Sequence, residues 1–193
     1  SVTLNGSHYK NKIVEIDGVS TFFYGPGLIR DQNPIINQVG NPIGSFYGLV
    51  ADGYYRDSAD AAPWGTNAKA GRIKFKDLNG DGQITGADRA VIGSPHPDFT
   101  GGLDLAVRHG GWEFSATVFG SFGNQIFNVQ KYWEVFRYFD TNVRADRLTE
   151  SWTPTHQNAK YPKLDASDSW SRQFSSYWVE NGSYVRLRSL QVG

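Results

Sequence analysis

Two neighbouring stretches of the chain, residues 99–108 and 112–121, alternate between apolar and polar side chains. Each stretch has one exception, Ala106 in the first and Phe119 in the second, and residues 109–111 (His-Gly-Gly) separate the two. Alternation with a period of two places apolar side chains on one face of a strand, and a glycine pair favours a tight turn. The sequence therefore predicts a β-hairpin, with strands of about ten residues that match the length of membrane-spanning strands. The predicted apolar face comprises Phe99, Leu103, Leu105, Val107, Trp112, Phe114, Ala116 and Val118.

Weaker patterns predict further elements on both sides of this hairpin. Glycine- and proline-containing pairs punctuate residues 24–45, which we therefore expect to form a loop. The apolar spacing over residues 125–139 predicts a helix, and Leu148 with Trp152 indicates a second helical turn. The alternation near the end of the chain slips at Ser189, which predicts a β-bulge. Additional strands are expected at residues 1–5, 12–16, 45–55, 72–76, 177–180 and 183–192.

The connections between the predicted strands differ greatly in length. The hairpin turn is very short, whereas residues 57–98 and 122–176 form two long segments, the second with the helical stretch. We expect an all-β fold of antiparallel strands, with long loops that contain short helices. Outer-membrane β-barrels have short turns on the periplasmic side and long loops on the outside. If the hairpin belongs to such a barrel, both long segments face the cell exterior.

Composition and charge narrow the class of protein. The chain of 193 residues has 19 Lys and Arg against 19 Asp and Glu, and this zero net charge argues against a nucleic-acid binder. With no cysteine, disulfides and thiolate metal sites are excluded, and no apolar run is long enough for a transmembrane helix. The 22 glycines and 28 aromatic residues (12 Phe, 10 Tyr, 6 Trp) are typical of an all-β protein rich in turns. Methionine is absent even at position 1, so we expect the chain to come from a longer or processed product.

The strongest chemical motif is an acidic loop at residues 77–88, with the sequence DLNGDGQITGAD. Oxygen-bearing side chains occupy loop positions 1, 3, 5, 9 and 12, and glycine occupies position 6, as in a calcium-binding loop of the EF-hand type. Position 12 carries Asp rather than Glu, which predicts weak affinity because the shorter carboxylate reaches the ion less easily. A structural calcium ion would be bound by Asp77, Asn79, Asp81, Gln83 through its backbone carbonyl, and Asp88. The alternative is a plain turn in which the Asp side chains accept bonds from local N–H groups.

No motif of enzymatic catalysis accompanies this loop. The four histidines are scattered, and the chain has no nucleophile elbow, phosphate-binding loop or dinucleotide fingerprint. We therefore predict no catalytic residue. Aromatic residues crowd the second long segment, where they could stack on sugar rings, but packing inside a folded loop is the favoured interpretation. These residues are Tyr132, Trp133, Phe136, Tyr138, Phe139, Trp152, Trp170, Tyr177 and Trp178.

Several motifs follow one another in an order that resembles the C-terminal part of the SusC/RagA family of TonB-linked outer-membrane receptors. They are GSFYG at residues 44–48, GRIKFKDLNGDG at 71–82, DR at 88–89, VIGSPHPDF at 91–99, GGL at 101–103, GSFGN at 120–124 and NGSYVRLR at 181–188. Order and spacing agree over most of the chain, from about residue 40 to the end, whereas residues 1–39 are less diagnostic.

This resemblance implies a fold and a function for the longer protein. A receptor of this family is a large barrel with an N-terminal plug, and it imports glycans or peptides across the outer membrane of Gram-negative bacteria. A surface lipoprotein of the SusD type covers its mouth, and TonB acts through the N-terminal part. Residues 1–193 would be a C-terminal barrel segment in contact with outer-membrane lipid, with no enzyme activity and no nucleic-acid partner.

A second class of protein stays open on the sequence alone. A soluble all-β module that binds carbohydrate or mediates adhesion, with a dockerin-like calcium loop, would share the same strands and the same acidic motif. The two classes differ in what covers the apolar face of the predicted hairpin. Lipid covers Leu103, Leu105, Phe114 and Val118 in a barrel, whereas a soluble module buries them in its own core.

Overall fold

A computed structural model describes residues 1–27, 32–136 and 142–193 of the chain. Antiparallel strands dominate it, with helices that are at most four residues long in the described ranges. The strands are β1 (Val2–His8), β2 (Phe22–Tyr24), β3 (Ile35–Gln38), β4 (Ser45–Leu49), β5 (Ala51–Tyr54), β6 (Ile73–Phe75), β7 (Arg89–Gly93), β8 (Phe99–His109), β9 (Trp112–Phe122), β10 (Gln125–Phe127), β11 (Val179–Asn181) and β12 (Tyr184–Val192). The α-helices are α1 (Ser58–Ala61) and α2 (Lys131–Glu134), and 3₁₀ turns occupy Ala62–Trp64, Gly86–Asp88, Ala145–Leu148 and Ser176–Trp178.

The longest strands form one four-stranded sheet in the order β1-β8-β9-β12, which we call the long-strand sheet. Strands β8 and β9 pair over eleven residues each, from Phe99 opposite Phe122 to His109 opposite Trp112. Only Gly110 and Gly111 lie in the turn, and Gly110 takes the positive φ (60°) that a two-residue hairpin turn requires. The predicted hairpin and the all-β fold are confirmed, with each strand one residue longer than the alternation indicates.

Strand β12 contains the predicted bulge, at Arg188. Leu187 lies opposite Val118 and Ser189 lies opposite Thr117, so one residue of β12 has no partner position on β9. The extra residue resets the alternation, and Leu190 therefore joins Leu187 on the apolar face of the sheet. A regular strand would instead turn Leu190 to the polar face, so the bulge reconciles the sequence of β12 with a sheet that separates apolar from polar side chains.

Shorter strands form the rest of the fold, and four of them (β2, β3, β7 and β10) were not predicted from the sequence patterns. A second four-stranded sheet has the order β2-β3-β4-β7, and β5 with β6 and β10 with β11 form two-stranded sheets. The expectation of loop at residues 24–45 is wrong over β3, and the long loop 57–98 contains β7. The helix predicted over residues 125–139 is wrong at its start, where β10 pairs with β11. Only Lys131–Glu134 of that range is helical among the described residues.

The hydrophobic core lies in the region of the short strands, outside the long-strand sheet. Trp178 and Tyr55 are fully buried there, and Phe127 and Trp178 stack with parallel rings 6.1 Å apart. Gly48 permits the closest approach of two segments, because a Cβ at this position would lie 2.5 Å from the carbonyl oxygen of Phe174. In contrast, every residue of β1 and β12 is exposed. The long-strand sheet thus has no core of its own on either face.

None of the helices in the described ranges is long and apolar enough to cross a membrane.

Candidate functional site

The acidic loop connects β6 to β7 and closes on itself through side-chain to backbone hydrogen bonds. One carboxylate, that of Asp77, accepts bonds from the N–H groups of Gly80 (2.7 Å) and Gly82 (2.8 Å). Both glycines have positive φ angles, 75° and 77°, which turn the chain around this carboxylate. The Asp81 carboxylate accepts from the Gln83 N–H at 2.8 Å. Because a carboxylate oxygen has two lone pairs, each retains capacity for a cation after accepting one N–H.

Asn79 and Asp81 extend this network on the exposed side of the loop. The Asn79 Oδ1 atom accepts from the Asp81 N–H (3.0 Å), and its amide donates to Asp81 Oδ2 (2.9 Å). Such turns, in which a side chain satisfies the backbone two or three residues on, are the alternative to metal binding. The hydrogen bonds therefore account for the folded loop without an ion.

Asp88, the last predicted calcium ligand, is fully buried and caps two parts of the loop. Its Oδ1 accepts from the Leu78 N–H (2.9 Å) and its Oδ2 from the Thr85 N–H (2.8 Å). With Thr85 it forms a capping box at the Gly86–Asp88 turn. The bond from Thr85 lowers the pKa of Asp88, burial opposes this, and the bond from Leu78 lowers it further. The Asp88 carboxylate is thus ionised and positions the loop from its base.

The five predicted ligands are close in sequence, but they do not converge as a ready-made metal centre. Among the described residues, no group of three or more His, Asp, Glu or Cys side chains is placed to hold an ion. The donor set is nonetheless of the type that calcium prefers, hard oxygens on a tight glycine-containing loop. Binding would require the Asp77 and Asp81 carboxylates to turn their second lone pairs toward one point.

The long-strand sheet presents a continuous apolar face over all four strands. Cross-strand partners on this face are apolar in successive rows, for example Leu4, Leu103, Val118 and Leu187. These residues remain exposed or half-buried, and Leu4 is 76% exposed. Lone apolar residues on a surface are ordinary, but an ordered face four strands wide marks a surface that something apolar covers.

Aromatic rings bound the apolar face at both ends. At the turn end Trp112 is 72% exposed. At the other end Phe99 and Phe122 stack with ring centres 6.3 Å apart. The Phe99 ring lies over Gly6 and Gly101, where a Cβ would come within 3.1 Å of it. Aromatic girdles on either side of an apolar band are the arrangement of outer-membrane barrels at the two membrane interfaces.

The opposite face of the same sheet is polar. Thr117 donates to the Asp104 carboxylate at 2.7 Å, and Arg108 pairs with Glu113 at 2.7 Å. Phe119, which broke the predicted alternation, lies on this face opposite Gly102 and Arg186. The sheet therefore separates an apolar side from a charged side, as a barrel wall does between lipid and lumen.

Most of the aromatic residues of the second long segment pack into the core, as the sequence analysis favoured. Trp178 contacts Phe136 at 5.4 Å and Tyr132 at 6.2 Å between ring centres. Trp133 stays exposed, at 39%. The predicted residues Tyr138 and Phe139 lie outside the described residues. The fully or nearly buried members are Tyr132, Phe136, Trp152, Trp170 and Trp178.

A buried ionic cluster joins the two long segments, and sequence reasoning did not identify it. Arg72 pairs with Asp165 at 2.6 Å and lies 3.5 Å from Asp168. Burial raises the pKa of Asp165, but hydrogen bonds from Ser167 and Arg72 outweigh it and lower the pKa to about 2. The partners are more than ninety residues apart in sequence, and no local motif links them. Their role is to fix one segment against the other.

The sequence is similar over its whole length to proteins of one kind. TonB-dependent receptor P3 of Formosa agariphila is 32% identical over 198 residues, which covers 100% of this chain and 19% of that protein. TonB-dependent receptor P26 of the same organism is 27% identical over 192 residues, covering 98% of the chain and 19% of the relative. The chain thus spans about one fifth of the length of these two curated relatives. No family model matches it.

The fold is similar to solved structures of larger assemblies. A chain in the structure of the RagAB peptide transporter superposes with a TM-score of 0.73 at 21% identity, covering 99% of this chain and 20% of that chain. The RagAB peptide importer in its open-open state gives the same TM-score, with 99% and 19% coverage. At this identity the likeness concerns the fold alone. The chain is thus similar over its whole length to TonB-dependent receptors, and its fold is that of about one fifth of a RagAB chain, which confirms the resemblance drawn from the sequence motifs.

Proposed function

We propose that this chain forms wall strands and outer loops of a transporter in the outer membrane of a Gram-negative bacterium, which imports glycans or peptides with energy supplied through TonB. The observation that carries this proposal is the apolar face of the long-strand sheet. Strand β9 runs about ten residues between its terminal aromatic residues. At a rise of about 3.3 Å and a tilt of about 40°, that is roughly 25 Å, the height of the lipid-facing band of such barrels.

The soluble alternative requires a core beneath this face, and none of the described residues packs there. Leu187, Leu190 and Val192 keep more than half of their surface accessible. The core of the chain instead belongs to the short strands and the long segments. Lipid therefore suits the apolar face better than any part of the described chain does.

A charge in the middle of the apolar face tests the membrane placement. Leu105→Arg in the longer receptor that contains this chain, the parent protein, should destabilise the barrel by about 2–4 kcal/mol, because it places a guanidinium at mid-membrane. Ala106→Arg is the matched control, since Ala106 is the next residue and its neighbour Ser115 lies on the polar face. Thermal unfolding of the detergent-purified protein, reconstituted in lipid, measures the difference. Equal stability of the two variants would contradict the lipid-facing assignment.

The same proposal extends to transport and partners. The relatives carry receptor names, and the similar solved assemblies are described as a peptide transporter and a peptide importer. We infer a SusD-like lipoprotein at the outer face and an oligomeric nutrient, either glycan or peptide, as cargo. Deletion of the parent gene should abolish growth on one such nutrient, and deletion of the TonB gene should reproduce that defect. Unchanged growth on every oligosaccharide and peptide mixture offered would refute import.

We further propose that the acidic loop binds one structural calcium ion. The support is the spacing of Asp77, Asn79, Asp81 and Asp88, the backbone carbonyl of Gln83, and the positive φ of Gly82 at the position where such loops turn. The ion would hold the loop between β6 and β7 closed on the outer side of the protein. No chemical step depends on it. Terbium luminescence tests the binding, as argued below.

A further inference from the structure

The bulge in β12 places two arginines on the same polar face of the long-strand sheet. Arg186 lies opposite Phe119, whereas Arg188 is the unpaired residue between Leu187 and Ser189. The guanidinium carbon of Arg188 sits 4.3 Å from the centre of the Phe119 ring, so its side chain also turns to this face. Without the extra residue, one strand could not present both arginines here and still keep Leu190 on the apolar side.

Aromatic rings hold the two guanidinium groups in place. The Arg186 guanidinium carbon lies 5.4 Å from the centre of the Tyr184 ring, and the Tyr184 and Phe119 rings are 6.2 Å apart. A guanidinium over a ring face uses its flat side for the contact, which leaves its N–H edge free to donate. Each guanidinium is therefore placed against an aromatic ring on the polar face before any partner binds.

No carboxylate in the described ranges pairs with either arginine. On the same face Arg108 pairs with Glu113, and the Asp104 carboxylate accepts a hydrogen bond from the neutral Thr117 hydroxyl. Both arginine side chains are exposed in this structure. Both guanidinium groups are permanently charged and have unpaired N–H donors in the described ranges. On the inner face of a barrel such a pair favours the binding of an anion.

We propose that Arg186 and Arg188 together bind a carboxylate of an Asp or Glu side chain from another part of the same receptor, inside the barrel. This rests on the proposed function, which places the opposite face in lipid and hence this face in the lumen. The chain covers about one fifth of its relatives' length, so most of a receptor of that size lies outside these residues and is available to occupy the lumen. Bidentate geometry and charge complementarity favour a carboxylate over a neutral group.

Zero-length cross-linking of the full receptor tests this pairing. Arg186→Lys and Arg188→Lys keep the positive charge and supply an amine, which a carbodiimide joins to any carboxylate in direct contact. We expect peptide mass spectrometry to find a cross-link from residue 186 or 188 to an Asp or Glu outside residues 1–193. Arg108→Lys is the matched control on the same face, and it should cross-link to Glu113 instead.

A second measurement uses the unmodified receptor and needs no variant to fold. Phenylglyoxal modifies accessible guanidinium groups, and we expect Arg186 and Arg188 to react at least tenfold more slowly than Arg56, an exposed arginine whose guanidinium forms no ion pair in the described ranges. Equal reactivity of the three arginines would overturn the proposal, as would cross-links confined to Asp104 or to a peptide added as substrate. If either of these outcomes occurs while Leu105→Arg still destabilises the receptor as expected, this inference fails and the membrane placement stands.

Discussion

At the scale of single residues, the acidic loop divides its carboxylates between two roles. Asp88 is buried with both oxygens bonded to backbone N–H groups, so it holds the loop shut from beneath. Asp77 is half-buried and accepts from the Gly80 and Gly82 N–H groups, whereas Asp81 is exposed and accepts from the Gln83 N–H and the Asn79 side-chain amide. The spacing in the sequence marks all three as equivalent ligands, but it carries no information on burial. That distinction required the packing of the turn at residues 86–88.

The calcium proposal makes a prediction about Asp77 and Asp81. Terbium, a calcium mimic, should bind the wild-type receptor and be displaced by calcium at about 10⁻⁴–10⁻³ M, the range of weak extracellular sites. Asp77→Asn with Asp81→Asn removes two charges but retains oxygen acceptors for the local N–H groups, so the fold should survive and binding should not. Asp57→Asn is the control, because Asp57 is an exposed carboxylate that caps α1 outside the loop. An equal terbium signal from the double variant and the control would exclude calcium binding at this loop.

At the scale of secondary structure elements, the bulge of β12 shows how a single extra residue keeps a strand amphipathic. We predict that deletion of Arg188 leaves β12 paired with β9, because it restores a regular register with every other side chain on its present face. Deletion of Arg186 is the matched comparison. That deletion turns either Leu187 to the polar face or Arg188 to the lipid face. A charge on the lipid face would destabilise the barrel by about 2–4 kcal/mol.

The yield of folded protein in the outer membrane, together with the mobility shift on heating, measures both deletions. Receptor lacking Arg188 should assemble as the wild type does, and receptor lacking Arg186 should not. Failure of both to the same degree would mean that strand length, rather than the side on which residues lie, controls pairing.

The elements that the sequence predicts are those with long, regular alternation. Strands β8 and β9 carry it over eleven residues, and a glycine pair joins them, so local information suffices. Strand β3 has only four residues and follows Pro34, and β10 has three residues that pair with β11 more than fifty positions later. Their pairing depends on contacts distant in sequence, and an apolar run of this length fits a helix equally well.

At the scale of the whole molecule, the connection from β1 to β8 (residues 9–98) and the connection from β9 to β12 (residues 123–183) leave the long-strand sheet at the same end. Asp98 donates its N–H to the carbonyl of Phe122, which closes β8 and β9 opposite the Gly110–Gly111 turn. All of the short strands and all residues of the hydrophobic core lie within these two connections. The predicted asymmetry between a short turn and two long segments is thus a feature of the fold, and its direction in the membrane is open to measurement.

Cysteine labelling on intact cells tests that direction. Ser58→Cys and Thr155→Cys, both at exposed positions of the long segments, should react with a membrane-impermeant maleimide. Gly111→Cys should not, because the turn would face the periplasm. We choose Gly111 over Gly110, whose φ of 60° disfavours a side chain. Labelling of Gly111→Cys alone would invert the topology, and labelling of all three would indicate a soluble secreted module.

The strand order of the long-strand sheet, β1-β8-β9-β12, follows the order of the sequence, yet residues 9–98 intervene between its first two members. The entropic cost of closing a loop grows only with the logarithm of its length, so adding about twenty residues to such a segment costs about 0.2 kcal/mol. Such connecting segments can therefore gain or lose tens of residues during evolution without disturbing strand register. A receptor built this way can acquire new surface features by insertion while its membrane-embedded part accumulates only point substitutions.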